Sequence, residues 1–328
     1  ATFLFAGGGR ADSLSGEILM TAELLTSILF ATVVAGTPLV LVALGELVCE
    51  KSGMLNLGAE GMMALGAVAG FIATLLTGSV GFGMAAGMLA GALLALIFGV
   101  ITINLMANQV ATGLAVAIFG VGLAAFIGKP FESQVIPATP AIAIPLLSEI
   151  PILGKVVFQQ QSLVYLTWII FGGLVWFLSK SRGGLILKAV GESPASAHAV
   201  GISVSRVRYL AVLFGGATAG LGGAFLSVFY TPMWTEGMIA GRGWIALALV
   251  VFATWRPWRV LLGAYLFGGV LISQFFVQSS TLQINVPSQL LSALPYLATI
   301  VVLVVICRNP QMIRINSPAS LGKPFRAE

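Results

Sequence analysis

The chain has 328 residues, of which 58% are hydrophobic and 8% are charged, and its formal net charge is +5. Soluble domains carry about 25% charged residues, so this composition excludes a soluble protein. It predicts an all-α integral membrane protein, a bundle of helices surrounded by membrane lipid. The cations lie in short loops beside apolar runs, so no nucleic-acid partner is expected. The two cysteines, Cys49 and Cys307, indicate no disulfide framework.

Charge-free runs divide the chain into candidate spans, because a helical span needs about 20 apolar residues. In chain order, these runs are 24–45, 61–128 (long enough for three spans), 156–179, 209–235 and 260–307 (long enough for two). Turns are predicted near 78–83 and 107–109, and a polar break is predicted at 278–289.

The segment 243–255 is too short to span alone, since 13 helical residues reach about 20 Å of a hydrocarbon core of about 30 Å. It either re-enters the membrane or crosses together with 237–242. Crossing places twelve Lys and Arg residues on one side and four on the other, whereas not crossing gives six against ten. The positive-inside rule therefore favours crossing, with nine spans, the N-terminus outside and the C-terminus in the cytoplasm.

This topology predicts three regions. They are an external N-terminal segment 1–23, a single transmembrane domain 24–307 that contains a cytoplasmic loop 180–208, and a cytoplasmic basic tail 308–328.

The loop 180–208 is a polar stretch between apolar runs, and its sequence predicts a short helix over 194–200. Ser193 suits the N-cap, Pro194 suits the first helical position, and Gly201 suits the residue after the helix. Such a helix would lie along the membrane, where its small apolar side chains could enter a groove on a soluble partner. His198 has no neighbouring ligand or nucleophile in the sequence, so we expect contact or solvation there, with no catalysis and no metal site.

A second polar segment, 45–63, is interrupted by glycines and carries Asn56 and Glu60. Broken helices of this kind turn backbone groups toward a cavity in transporters. A carboxylate at the bilayer centre costs roughly 2.5–3.5 kcal/mol on the insertion scale, so Glu60 is expected near the interface, or facing water or a partner. The alternative is an ordinary solvated loop.

Two further groups are candidates for a translocation path. Asn104, Asn108 and Gln109 surround a predicted inner turn, where amides could bind a neutral polar solute or simply cap helices. Trp234, Arg242 and Trp244 lie in a Pro- and Gly-broken outer region. The two Trp rings there could stack on a flat solute or belong to an interfacial aromatic belt.

Four stretches carry a resemblance to a known family: GELVCEKSGMLNLGAEGMMALGAVAGF (45–71), ANQVATGLAV (107–116), LKAVGESPASAHAVGISVSRVRYLAVLFGGATAGLGGAF (187–225) and GRGWIALALVVFATWRP (241–257). They resemble the permease subunits of bacterial ATP-binding-cassette (ABC) importers of the branched-chain amino acid/ribose permease superfamily, nucleoside and simple-sugar type. The chain departs from that pattern at Ser193, where Asn is common, and at His198, which stands among small residues.

The resemblance implies that the short helix is a coupling helix that docks on a cytoplasmic ATPase. The docking residues are then Gly191, Glu192, Ser193, Pro194, Ala195, His198, Ala199, Gly201 and Ile202. It also implies a second homologous permease, an external substrate-binding lipoprotein and a place in the bacterial inner membrane. The sequence has no G-x-x-x-x-G-K-[ST] phosphate loop, so ATP and Mg²⁺ are expected on the partner and no cofactor on this chain.

The scarcity of fixed charge in the spans favours a neutral polar solute, and the outer aromatics favour a nucleoside over a sugar or another small solute. The main alternative is a proton-coupled secondary transporter that uses Glu46, Glu50 or Glu60 as proton carriers. An intramembrane enzyme is disfavoured, because no nucleophile, acid pair or metal constellation is evident in the spans.

Overall fold

The computed structural model describes residues 8–279, 293–294, 297, 300–301, 304 and 316–326. Within these residues the chain is predominantly helical. The helices are α1 (Gly8–Lys51), α2 (Ala59–Thr77), α3 (Val80–Gly99), α4 (Gln109–Gly128), α5 (Leu153–Phe158), α6 (Ser162–Lys180), α7 (Arg182–Glu192), α8 (Pro194–Ala199), α9 (Val204–Ala224), α10 (Arg242–Phe252) and α11 (Pro257–Ser279). Wider π-helical turns extend α3 through Val100–Asn104 and α9 through Phe225–Tyr230.

Strand structure in the described residues is minimal. β1 (Ile142–Ala143) pairs antiparallel with β2 (Gln159–Gln160), and Ile142 lies opposite Gln160. This two-stranded ribbon lies in the connection between α4 and α6. The expected all-α class therefore holds for the bundle, and the ribbon is an addition that the sequence did not predict.

Six of the described helices are long and apolar enough to cross a membrane. They are 22–51, 59–77, 80–104, 109–131, 162–180 and 204–230. Two shorter apolar helices, 242–252 and 257–273, follow them. The three spans expected within 61–128 are present as α2, α3 and α4. The count of nine spans is not confirmed, because most of 280–315 lies outside the described residues.

The helix boundaries confirm two predicted turns. Gly78 ends α2 with a φ of 66°, a left-handed conformation that glycine adopts without steric cost. Asn108 precedes α4, and its side-chain oxygen accepts a hydrogen bond from Ala111 N at 3.0 Å. At the N-terminus the described part of α1 starts at Gly8, and its candidate span starts at Ala22, two residues before the predicted start at 24.

Glycines in α9 bring three helices into close contact. A Cβ atom at Gly66 would collide with the backbone of Gly220, and a Cβ atom at Gly91 would collide with the backbone of Gly216. Lipid chains are as apolar as leucine, so helices in a membrane associate through close packing of small residues of this kind. The core of the bundle is accordingly built on α9, with α1, α2 and α3 packed around it.

The chain between α9 and α11 runs from one end of the bundle to the other. We call the end that contains Lys51, Arg208 and α8 the basic end. Trp234 lies at the opposite end, where a Cβ atom at Gly128 would collide with its indole. Trp255 lies at the basic end, where its indole Nε1 donates a hydrogen bond to the Glu50 carboxylate. An irregular segment followed by the short helix α10 therefore connects the two ends of the bundle.

Candidate docking and translocation site

The short helix expected at 194–200 is present as α8, and it ends one residue earlier. Ser193 Oγ accepts a hydrogen bond from Ser196 N at 3.3 Å, as expected for an N-cap. Pro194 occupies the first position, where its missing N–H costs nothing. Gly201 follows the helix with a φ of 84°, which reverses the chain into α9. Local capping chemistry therefore accounts for both ends of α8.

One face of α8 is largely exposed. Ala197 turns inward and packs with Val190 and Val204. Val200, the residue that directly follows α8, is 75% exposed. Among the residues expected to dock, Glu192, Ala195, His198, Ala199 and Gly201 are exposed, Ser193, Pro194 and Ile202 are half-buried, and Gly191 is buried. Ala195, Ala199 and Val200 thus form a small exposed apolar surface at the basic end.

Glu60 is buried inside the bundle, contrary to the expectation that it lies near the interface or faces water or a partner. It is 8% exposed, and its two carboxylate oxygens accept hydrogen bonds from Gly241 N at 2.8 Å and Gly243 N at 2.7 Å. Gly241 is the N-cap residue of α10 and Gly243 lies in its first turn, where an acidic side chain interacts favourably with the helix dipole. Glu60 therefore acts as an N-terminal cap supplied from a distant part of the chain.

The depth of this cap follows from helix packing. Gly66 contacts Gly220, which lies twelve residues, or about 18 Å, beyond Arg208 along α9. Glu60 lies six residues before Gly66 on the roughly parallel α2, so it is roughly 9 Å deeper in the bundle than Arg208. The eleven residues of α10 are about 16 Å long and lead toward the basic end, where Trp255 lies. α10 is thus about half as long as a helix needs to be to cross a hydrocarbon core of about 30 Å.

The rest of the segment 45–60 is held by its own polar side chains. Glu46 Oε1 accepts from Asn56 N at 2.9 Å, and Asn56 Oδ1 accepts from Gly58 N at 3.1 Å. Gln109, at the start of α4, accepts from Leu55 N at 2.8 Å through Oε1. All three side chains are buried, so they hold the loop in place through hydrogen bonds and are not in contact with water. The alternative of an ordinary solvated loop is wrong for this segment.

Glu50, which the sequence suggested only as an alternative proton carrier, completes the arrangement. It accepts the indole hydrogen of Trp255, three residues after α10 ends, while Glu60 binds the start of α10. Both ends of the half-helix are therefore fixed to one short stretch of chain. A buried Trp that follows an apolar run is a signal for a hydrogen-bond acceptor, but the sequence does not identify which one.

The remaining path candidates occupy different environments. Asn104 is exposed and accepts from the Tyr209 hydroxyl at 3.0 Å, and Asn108 is the exposed N-cap of α4. Capping, the alternative considered for Asn108, is confirmed. These two residues lie toward the basic end of the bundle, whereas the outer aromatic group lies toward the other end.

The outer group is also divided. Trp234 is 2% exposed and packs against Gly128, so its ring is not available for stacking on a solute. Arg242 donates to Met238 O at 2.9 Å and lies 5.9 Å from the centre of the Tyr230 ring. Trp244 is 39% exposed and lies in the first turn of α10, directly after the capped Gly243.

A cavity of about 580 Å³ lies among α1, α6, α7 and α9. Its lining is apolar and includes Val48, Leu174, Phe177, Leu210 and Phe214. A neutral polar solute needs hydrogen-bonding groups for recognition, so this cavity does not fit a solute of that kind. Among the described residues, no group of three or more His, Cys, Asp or Glu side chains is placed to hold a metal ion.

Comparison with known proteins assigns the chain to a family. Residues 28–306 match the model of the family described as "Branched-chain amino acid transport system / permease component". The chain belongs to this permease family. Members of the family are transport subunits, so α10 and the exposed α8 belong to a permease.

Individual relatives of the permease match along nearly their whole length. The chain is 39% identical over 321 residues, 92% of its length and 98% of the relative's, to TsgC13 of Haloferax volcanii, which is provisionally assigned as a glucose ABC transporter permease. It is 33% identical over 280 residues (81% of the chain and 88% of the relative) to the nucleoside ABC transporter permease NupC of Lactococcus lactis. It is also 33% identical over 316 residues (92% and 97%) to the guanosine ABC transporter permease NupQ of Bacillus subtilis. No solved structure matches the permease.

Proposed function

We propose that this permease is the membrane-spanning subunit of an ATP-driven importer and that α8 is the helix on which a separate ATPase docks. The observation that carries the proposal is the exposed, capped helix at the basic end of a chain that contains no phosphate loop of its own. ATP and Mg²⁺ then bind to the ATPase, and closure of the ATPase moves α8. Because α7 and α8 lead directly into α9, at the centre of the bundle, that movement reaches the spans.

The topology proposed for the permease has nine spans, with the N-terminus outside and the basic end in the cytoplasm. The cation distribution supports this orientation, since Lys and Arg concentrate at the cytoplasmic ends of spans. A second homologous permease completes the path, and an external binding lipoprotein delivers the solute to it.

We place the path beside α10. Trp244 and Val251 are both exposed and lie seven residues apart on α10, so they share one face of this half-helix. Asn104 and Asn108 are exposed near the basic end. Five further candidates do not line the path but hold in place the segments that do. They are Asn56, Glu60, Gln109 and Trp234, which are buried, and Arg242.

A nucleoside or a simple sugar is the solute that fits best. The carboxyl groups of Glu46, Glu50 and Glu60 are buried and accept hydrogen bonds from the chain itself, so they are not available to bind a charged solute. The three relatives are named for glucose, nucleosides and guanosine, which are all neutral polar molecules. The exposed Trp244 ring favours a nucleoside, because a flat base can stack on it.

The docking role is tested by placing bulky residues on the exposed surface formed by the end of α7 and by α8. We expect Ala195→Trp, on α8, and Glu192→Trp, at the end of α7, to abolish uptake of labelled nucleoside or sugar into vesicles that contain the permease and its co-purifying ATPase, while insertion and basal ATP hydrolysis persist. Leu153→Trp is the matched control, since Leu153 is 56% exposed outside this surface. Unchanged uptake in both surface variants would contradict the proposal.

The alternative of a proton-coupled transporter is tested in the same vesicles. An uncoupler added at constant internal ATP should leave uptake intact if the ATPase drives transport. Uptake that collapses with the proton gradient and does not require the ATPase would favour the secondary transporter.

A further inference from the structure

The C-terminal segment 316–326 folds back onto the base of α8. Ser320 is 5% exposed, and its N and Oγ atoms donate to Gly191 O at 3.0 Å and 2.6 Å. Two residues later, Gly322 N donates to Gly53 O at 3.1 Å. A short stretch of tail therefore binds the end of α7 on one side and the loop after α1 on the other.

Two basic residues of the bundle hold the same segment. Lys51 Nζ, at the end of α1, donates to Asn316 O at 3.0 Å. Arg208 Nη1, in the first turns of α9, donates to Lys323 O at 3.3 Å. The tail is thus fixed to α1, α7 and α9 together. The basic tail expected from composition alone is, over these residues, an ordered part of the basic end.

The end of the tail reaches the outward surface beside α8. The Phe325 ring meets the His198 ring edge to face, with centroids 5.9 Å apart. Phe325 also packs with the small apolar cluster of Val190, Ala197 and Val204 that supports α8. The tail therefore contributes to the same surface as the exposed residues of α8.

A notch opens between the two elements. It has a volume of about 270 Å³, and it is lined by His198, Gly201, Ile202, Ser203, Val204, Ser205 and Phe325. Six of these residues come from the end of α8 and the start of α9, and Phe325 supplies the tail's part of the wall. A concave, partly apolar notch of this size admits one protruding side chain, as anchor residues do at protein interfaces.

The exposed charges around the notch have one predominant sign. Arg206, Lys323 and Arg326 are exposed, and Glu192 is the exposed acid of this surface among the described residues. The geometry points to a composite docking surface: α8 and the segment 316–326 together receive the ATPase, with the notch taking one apolar side chain from it. Charge complementarity then requires an acidic rim around that side chain on the ATPase.

This inference rests on the proposed docking role of α8 and adds a partner contact for the tail. If the tail is part of the interface, a single substitution at Phe325 should weaken association with the ATPase even though every residue of α8 is unchanged. If the tail only packs against α8 and stabilises it, Phe325 should not contact the ATPase.

Photo-crosslinking separates these cases. A benzophenone amino acid is placed at position 325, at position 200 directly after α8, or at position 153 as a control. Each permease is co-expressed with its ATPase, which mass spectrometry identifies by a phosphate-loop peptide. We expect crosslinks to the ATPase from 325 and 200 and none from 153. Crosslinks from 200 alone would overturn the composite surface and leave the docking role of α8 intact, whereas crosslinks from neither would overturn the docking role as well.

A substitution series supplies the energetic test. Phe325→Ala should weaken ATPase association roughly tenfold, the effect of losing a moderate interface anchor. Ala319→Gln is the matched control, because Ala319 is exposed on the same tail but does not line the notch. Its association should equal that of the unaltered protein. An unchanged affinity in Phe325→Ala, in a protein whose thermal unfolding is also unchanged, would contradict the inference.

Discussion

The segment 45–60 and the segment 187–202 look alike in sequence, since both are Gly-containing polar stretches next to spans, yet their environments are opposite. In the first, the carboxylates of Glu46, Glu50 and Glu60 are buried and bound by the chain's own N–H groups. In the second, Val200 and Ala195 are exposed. The first segment therefore stabilises the bundle, and the second is free to bind something else.

This contrast predicts different consequences for substitutions in the two segments. Changes in 45–60 and in α10 should lower the free energy of unfolding. Changes on the outer face of α8 should leave that free energy almost unaltered and act on transport.

The largest stability effect is expected for Glu60→Ala. It removes two hydrogen bonds to a charged acceptor and leaves two buried N–H groups of α10 unpaired, a loss of about 3 kcal/mol. Glu60→Gln keeps one accepting oxygen and should lose about half as much. The measurement is the unfolding midpoint in detergent. If both variants unfold at the midpoint of the unaltered permease, the cap does not stabilise α10.

Gly243→Ala should follow, at about 2 kcal/mol. A Cβ atom there would lie 2.6 Å from Glu60 Cα, so the start of α10 must move away from α2. Gly241→Ala is not a suitable control, because Gly241 has a φ of 80°. Gly172→Ala serves instead, since a Cβ atom at Gly172 meets no other atom within 4 Å. Equal midpoints for the two variants would argue against close packing at Gly243.

Trp255→Phe should cost about 1.5 kcal/mol, because it keeps the ring and removes the donor to Glu50. The double variant Trp255→Phe, Glu50→Gln measures the coupling. If the hydrogen bond between Trp255 and Glu50 stabilises the fold, the double variant should lose less than the sum of the losses of the two single variants.

The smallest stability effect is expected on the docking surface. Val200→Gln should change the free energy of unfolding by less than about 0.5 kcal/mol, as exposed sites do, while coupled uptake falls sharply. The test measures the free energy of unfolding and the vesicle uptake of Val200→Gln on the same preparation. A large loss of stability with normal uptake would mean that Val200 stabilises the bundle, as the segment 45–60 does. The contrast between the segments 45–60 and 187–202 would then be wrong.

Several features followed from the sequence because they depend on neighbours along the chain. Composition predicted a membrane protein, and the caps Ser193 and Gly201 predicted α8 to within one residue. The turns at Gly78 and Asn108 were predicted for the same reason. The charge distribution favours a crossing of 243–255, and that crossing stays a prediction.

Only the tertiary structure decided which distant groups meet. Glu60 was expected near water because an isolated carboxylate is costly in lipid, but Gly241 and Gly243, some 180 residues away, satisfy it. The tail was expected only as a basic segment, and its contact with Gly191 joins residues that lie 129 positions apart in the sequence. Capping and hydropathy are properties of adjacent residues and can be read locally. A buried charge is stable only through partners that the fold brings to it, and no local pattern names them.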